Sequence, residues 1–69
     1  MTFSEHLVKL RLEHNLLQKD VAKELGVGLH TYQRYEYGES EPQLSALIAL
    51  AKLYGISLDE LVCREFPKK

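Results

Sequence analysis

The feature that most narrows what this chain can fold into is the run from Gln18 to Tyr35, in which two short apolar-periodic segments meet at a glycine. Val21, Ala22 and Leu25 share one stripe of a helix with about 3.6 residues per turn, and Gly26 directly follows them. Glycine adopts positive φ without steric penalty, so the chain can turn sharply there. Gly28 is an acceptable N-cap for a second helix reaching about Tyr37, in which Tyr32, Tyr35 and Glu36 recur at helical spacing and face inward. The small Ala22 lets the two helices cross closely, Val27 plugs the corner, and the tyrosines pack the second helix against the rest.

The flanking segments read as helices too. Thr2-Phe3-Ser4-Glu5 has the capping-box spacing, Phe3, Leu7 and Leu10 repeat on one face, and Asn15 suits a left-handed cap, so a helix is predicted from Thr2 to His14. Gly38 stops the third helix and a polar loop runs to Pro42. From Leu44, residues Leu47, Leu50, Ala51 and Tyr54 mark a fourth helix ended by Gly55. Ser57-Leu58-Asp59-Glu60 is a second capping box, opening a last helix through Leu61 and Val62 to about Arg64, before Pro67 and two lysines. No segment has strand periodicity. The prediction is an all-α, compact five-helix domain over residues 1–66 with a basic tail at 67–69. Sixty-nine residues leave no room for a second domain, and a core this small carries a folding margin of about 3–5 kcal/mol.

Several function classes are disfavoured. One cysteine, Cys63, cannot form an internal disulfide and is expected at the packing rim, in keeping with a reducing compartment. His6, His14, His30 and Cys63 offer no short ligand pair of the kind zinc uses, so no metal or other cofactor is expected. No acid–base pair, nucleophile elbow or phosphate loop suggests an enzyme, and no small-molecule ligand is evident. The longest near-apolar stretch, Leu44 to Tyr54, is interrupted by Ser45 and Lys52 and is far short of the ~20 residues a bilayer span needs. The start, Met1 to His6, lacks a basic and an apolar region of signal-peptide type, which makes the cytoplasm the expected location. Net charge is −1. Clustering matters more than the total: Lys19, Lys23 and Arg34 can share one face, with Glu60 and Glu65 toward the other end.

Two short helices crossing at Gly26 constitute a helix-turn-helix. Through Arg11, Gln18, Val21-Ala22, Leu25-Gly26-Val27, Glu36, Gly38, Pro42, Leu47, Leu50-Ala51, Gly55 and Leu61, the sequence resembles the Cro/CI-type (lambda-repressor-like, XRE) helix-turn-helix DNA-binding family over nearly its whole length. The resemblance implies five helices and a DNA-binding transcriptional regulator, a repressor of phage, mobile-element or bacterial origin. It places Leu29, His30 and Arg34 at positions aimed at base edges in the major groove, with Thr31 and Gln33 as secondary candidates. Their chemistry agrees: a guanidinium bonds guanine bidentately, an amide suits adenine, an imidazole donates or accepts, and a leucine can touch a thymine methyl.

Gln18 matches the family position that grips a phosphate at the start of the first motif helix, where helix N-termini favour anions in any case. Lys19 and Lys23 add screened attraction to the backbone. Arg11 and Glu36 correspond to an internal salt bridge in relatives. Two departures stand out. Leu17 cannot cap the second helix as a Ser, Thr or Asn would, a loss of about 1 kcal/mol. Glu39 and Glu41 stand in a loop where many relatives carry basic residues, which shifts the expected phosphate contacts to the N–H groups near Gln43 and Leu44. A homodimer reading an inverted-repeat operator is expected, with Leu53, Ile56 and Leu58 as its interface. The competing reading is a protein-interaction module or antitoxin component that kept the scaffold and lost DNA affinity.

Overall fold

The computed structural model describes residues 2–62. The predicted extension of the last helix to Arg64, the placement of Cys63 and Glu65, and the tail at 67–69 fall outside them. Five helices follow in order: α1 (Phe3–Glu13), α2 (Gln18–Leu25), α3 (Leu29–Glu36), α4 (Leu44–Tyr54) and α5 (Leu58–Val62). No strand occurs among the described residues.

Local chemistry sets the starts. The Thr2 hydroxyl accepts from the Glu5 N–H at 3.2 Å while the Glu5 carboxylate accepts from the Thr2 N–H at 2.9 Å, and those bonds hold the Glu5 carboxyl below its ordinary value. Ser57 and Glu60 repeat the arrangement at α5, at 3.1 and 3.0 Å. Thr2 and Tyr37 are caps rather than helical residues, so α1 and α3 are slightly shorter than their periodicity predicts. Leu17 indeed offers no side-chain cap, but Asp20 supplies the reciprocal half of the box, its carboxylate accepting from the Leu17 N–H at 2.9 Å.

The stops share one design. Asn15, Gly26, Gly38 and Gly55 all have positive φ, at 56°, 72°, 76° and 66°. The residue after each donates its N–H back to the helix: Leu16 to Arg11 O, Val27 to Ala22 O, Glu39 to Arg34 O and Ile56 to Ala51 O, at 2.9–3.1 Å. These are Schellman closures, in which the donating residue usually makes an apolar contact with the end of its own helix. Leu16, Val27 and Ile56 are apolar and pack against the core. In the fourth closure the residue is Glu39, which is exposed.

The core gathers Leu7 and Leu10 of α1, Val21 and Ala22 of α2, Tyr32 and Tyr35 of α3, Leu50, Ala51 and Tyr54 of α4, and Leu61 of α5. Leu7, Val21, Tyr32, Leu50 and Leu61 are fully buried. Helix α2 packs on α3 and α4, while α1 packs on α3 and α5. His6 reaches from α1 to donate from Nδ1 to the Leu61 carbonyl at 3.1 Å, tying α5 down. Among the described residues no helix is long and apolar enough to cross a membrane.

Candidate nucleic-acid interface

Helix α3 is held from one side only. Tyr32 and Tyr35 are buried, with their rings edge to face at a centroid distance of 6.2 Å, and Glu36 is buried beside them. Leu29, His30, Thr31 and Arg34 are all exposed, with His30 and Arg34 on the opposite side, Thr31 on a flank and Leu29 at the first turn. A helix anchored by three bulky inward residues therefore projects a face with a guanidinium and an imidazole, flanked by a hydroxyl and an apolar side chain.

Beneath that face lies a polar hub. The Glu36 side chain, 2% exposed, accepts from Arg11 Nε at 2.6 Å and Nη2 at 3.4 Å, from the Tyr32 hydroxyl at 2.5 Å, and from Gln18 Nε2 at 2.9 Å. Arg11 also donates from Nη1 to the Leu16 carbonyl at 3.1 Å. One carboxylate thus joins α1, α2 and α3. Burial pushes Glu36 toward the neutral form, but the hydrogen bonds from Arg11, Tyr32 and Gln18 together outweigh it, so its carboxyl sits below the ordinary value. The bond from Glu36 raises Arg11, and burial followed by the same carboxylate pushes the Tyr32 phenol far up. All three groups stay in the protonation states that the hub needs.

Gln33 is half-buried, on the flank of α3 that faces the start of α2. Its Nε2 donates to Gln18 Oε1 at 3.1 Å, so it belongs to the hub as well as to the surface. Lys19 and Lys23 are exposed on α2, and Gln43, the N-cap of α4, is exposed with no capping bond from its side chain. Arg34 does not stand alone: Glu39 Oε1 lies 3.8 Å from its Nε, with both side chains at least half exposed. Leu53 and Ile56 pack, partly buried, against the core cluster, whereas Leu58 is 39% exposed. Two apolar residues that periodicity did not single out, Leu44 and Ile48, are exposed one turn apart on α4, as is Tyr37 beyond α3. Among the described residues no group of three metal-binding side chains comes together.

A family model described as helix-turn-helix matches residues 7–61, spanning α1 to α5. The chain belongs to the Cro/CI-type helix-turn-helix family. It is 45% identical over 60 residues to the cryptic phage CTXphi transcriptional repressor RstR of Vibrio cholerae, a match covering 87% of this chain and 54% of that one. A solved transcriptional regulator from Listeria innocua superposes with a TM-score of 0.90 at 35% identity, covering 99% of this chain and 64% of that chain. The P22 c2 repressor, solved in complex with a synthetic operator, superposes with a TM-score of 0.83 at 27% identity, covering 90% of this chain and 94% of that one. The chain spans little more than half the length of RstR. As a helix-turn-helix domain it has α2 and α3 as its motif helices.

Proposed function

We propose that this chain is a sequence-specific double-stranded DNA-binding domain of a bacterial or phage transcriptional regulator, a repressor, and not an enzyme. The observation that carries the reading is the one-sided anchoring of α3, which leaves Leu29, His30, Thr31 and Arg34 free to enter a major groove. Arg34 suits guanine, His30 either a donor or an acceptor, and Leu29 a thymine methyl. Gln18 at the first turn of α2, Lys19, Lys23 and the N–H groups beside Gln43 contact phosphates, which position the domain without reading sequence. The resemblance to RstR and to the operator-bound P22 c2 repressor supports the same reading.

One domain makes few base contacts, so the chain binds as a homodimer, its two α3 helices in successive major grooves of an inverted repeat with half-sites about one helical turn apart. Leu58, with Leu53 and Ile56 behind it, is the assigned contact between copies. The place of action is the cytoplasm. A protein-interaction or antitoxin module on this scaffold has no specific observation in its favour.

Selection from random duplexes tests the proposal. The chain should enrich a two-fold symmetric site and lose affinity steeply with salt, and Arg34→Ala should relax preference at one base pair per half-site. Failure to enrich any site, with binding to duplexes uniformly weak, would sink it.

A further inference from the structure

We propose that the buried Glu36 carboxylate fixes the hydrogen-bonding sense of Gln18 and, through it, of Gln33, so that Gln33 reads one adenine per half-site with an amide that cannot turn over. This rests on the DNA-binding reading above.

The inference follows from which atoms can donate. A carboxylate only accepts, so Gln18 must present Nε2 to Glu36, as it does at 2.9 Å. The Gln18 Oε1 then faces Gln33, which must answer with Nε2, as it does at 3.1 Å. Turning the Gln18 amide over would set its oxygen against the carboxylate and its nitrogen against the Gln33 nitrogen, losing both bonds. The O and N positions of an amide are ordinarily interchangeable; here a buried charge decides them twice in succession. Glu36 itself is held by Arg11 and Tyr32, so the sense of the chain originates in the core.

Gln33 is left with Oε1 and one Nε2 hydrogen. Adenine presents a donor, N6, beside an acceptor, N7, in the major groove and matches that pair; guanine presents two acceptors, O6 and N7, and thymine an acceptor and a methyl. An unrestrained amide could turn its oxygen away and offer both Nε2 hydrogens to guanine O6 and N7. One held through Gln18 has a single free hydrogen and keeps Oε1 toward the base edge, where it would face a second acceptor on guanine, so the anchor converts a permissive side chain into a selective one. Gln33 is then the base-reading residue, while Glu36 and Gln18 are positioning residues that touch no base.

The test uses Gln18→Met, which breaks the link while leaving Glu36 its bonds from Arg11 and Tyr32, and Gln33→Ala. Without DNA, the side-chain amide resonances of Gln33 in the 15N-labelled protein should move when Gln18 is replaced; unchanged resonances would overturn the relay. With DNA, both variants should lower adenine preference at the same single position of each half-site by about tenfold, and the double variant should lower it no further. Glu36→Gln, assayed below its own melting temperature, should weaken the same preference because an amide accepts either sense of Gln18. A site enriched by the wild type whose adenine preference survives in both variants, whatever the uniform loss of affinity from the phosphate contact of Gln18, would refute the relay and leave the DNA-binding reading standing. No enriched site with the wild type would refute the DNA-binding reading, with it the assignment of Gln33 to adenine.

Discussion

Replacing Arg11 with methionine keeps much of the aliphatic bulk of the side chain and removes three donated hydrogen bonds, two to Glu36 and one to the Leu16 carbonyl. Glu36 stays buried and keeps only Tyr32 and Gln18 as donors, neither of them charged. Stranding one partner of a buried ion pair costs about 3–5 kcal/mol. At about 0.05–0.15 kcal/mol per residue, a chain of 69 residues has roughly 3–10 kcal/mol in total. Arg11→Met should therefore lower the melting temperature by at least about 12 °C, taking about 4 °C per kcal/mol as the lower bound. The sign of the pH dependence is also fixed. In the wild type the lowered Glu36 pKa contributes stability above the ordinary carboxylate range, and that contribution is lost as pH falls through the folded value. In Arg11→Met burial prevails and the Glu36 pKa rises, so the deficit relative to wild type should shrink as pH falls from 7 toward 4. Circular-dichroism melts of Arg11→Met, Glu36→Gln and the double variant at several pH values measure all of this. The two single effects should exceed the double effect by about 1–3 kcal/mol. Additive effects, or an Arg11→Met melt within about 4 °C of wild type at pH 7, would refute the reasoning.

Among the described residues the Tyr54 hydroxyl is buried with no hydrogen-bond partner, so Tyr54→Phe should melt at or above the wild-type temperature, since it removes an unsatisfied group. Burial pushes the Tyr54 phenol up to about 12, so the wild type should lose stability as pH rises from the ordinary tyrosine value of about 10 toward 12, and Tyr54→Phe should lose less over that range. Gly26→Ala adds a Cβ that meets nothing within 4 Å, so the whole penalty is the left-handed backbone, about 1–2 kcal/mol, readable in a denaturant melt. Glu39→Gln removes a negative charge beside Arg34 and should tighten operator binding about two- to fivefold at low salt, the gain fading as salt screens it in a titration series.

The boundaries of α2 and α4 were legible in the sequence because a glycine stands immediately after an amphipathic stripe in each, and both helices run as predicted. The inward set Tyr32, Tyr35 and Glu36 was legible for the same reason: three- and four-residue spacing on a short helix leaves one choice of face. The apolar surplus near α4 was not. Periodicity picked out Leu47, Leu50, Ala51 and Tyr54, which lie in or against the core, but further apolar residues outside that stripe, Leu44 and Ile48, are left exposed, Leu44 the more so. Nor could spacing reveal that Gln33 bonds Gln18 fifteen residues away, because that contact depends on how α2 and α3 cross. The cap from Asp20 was not legible because it serves the N–H of Leu17 from three residues later, whereas the residue type at the cap position itself offers no acceptor. The pairing of Glu39 with Arg34 follows from the Schellman geometry after α3, which brings those two residues together and which the sequence alone left as an acidic loop.

The four repeated closures bear on how fast the chain reaches its native state. Each joins residues only five apart and settles a helix end before any distant segment arrives. What remains is to dock short preformed rods about a few joints, a search dominated by neighbours in the chain, and helical domains of that kind fold in microseconds to milliseconds. Stopped-flow refolding should accordingly show one fast phase, and replacing a joint residue such as Gly55 should slow it more than shaving an apolar side chain at the rim.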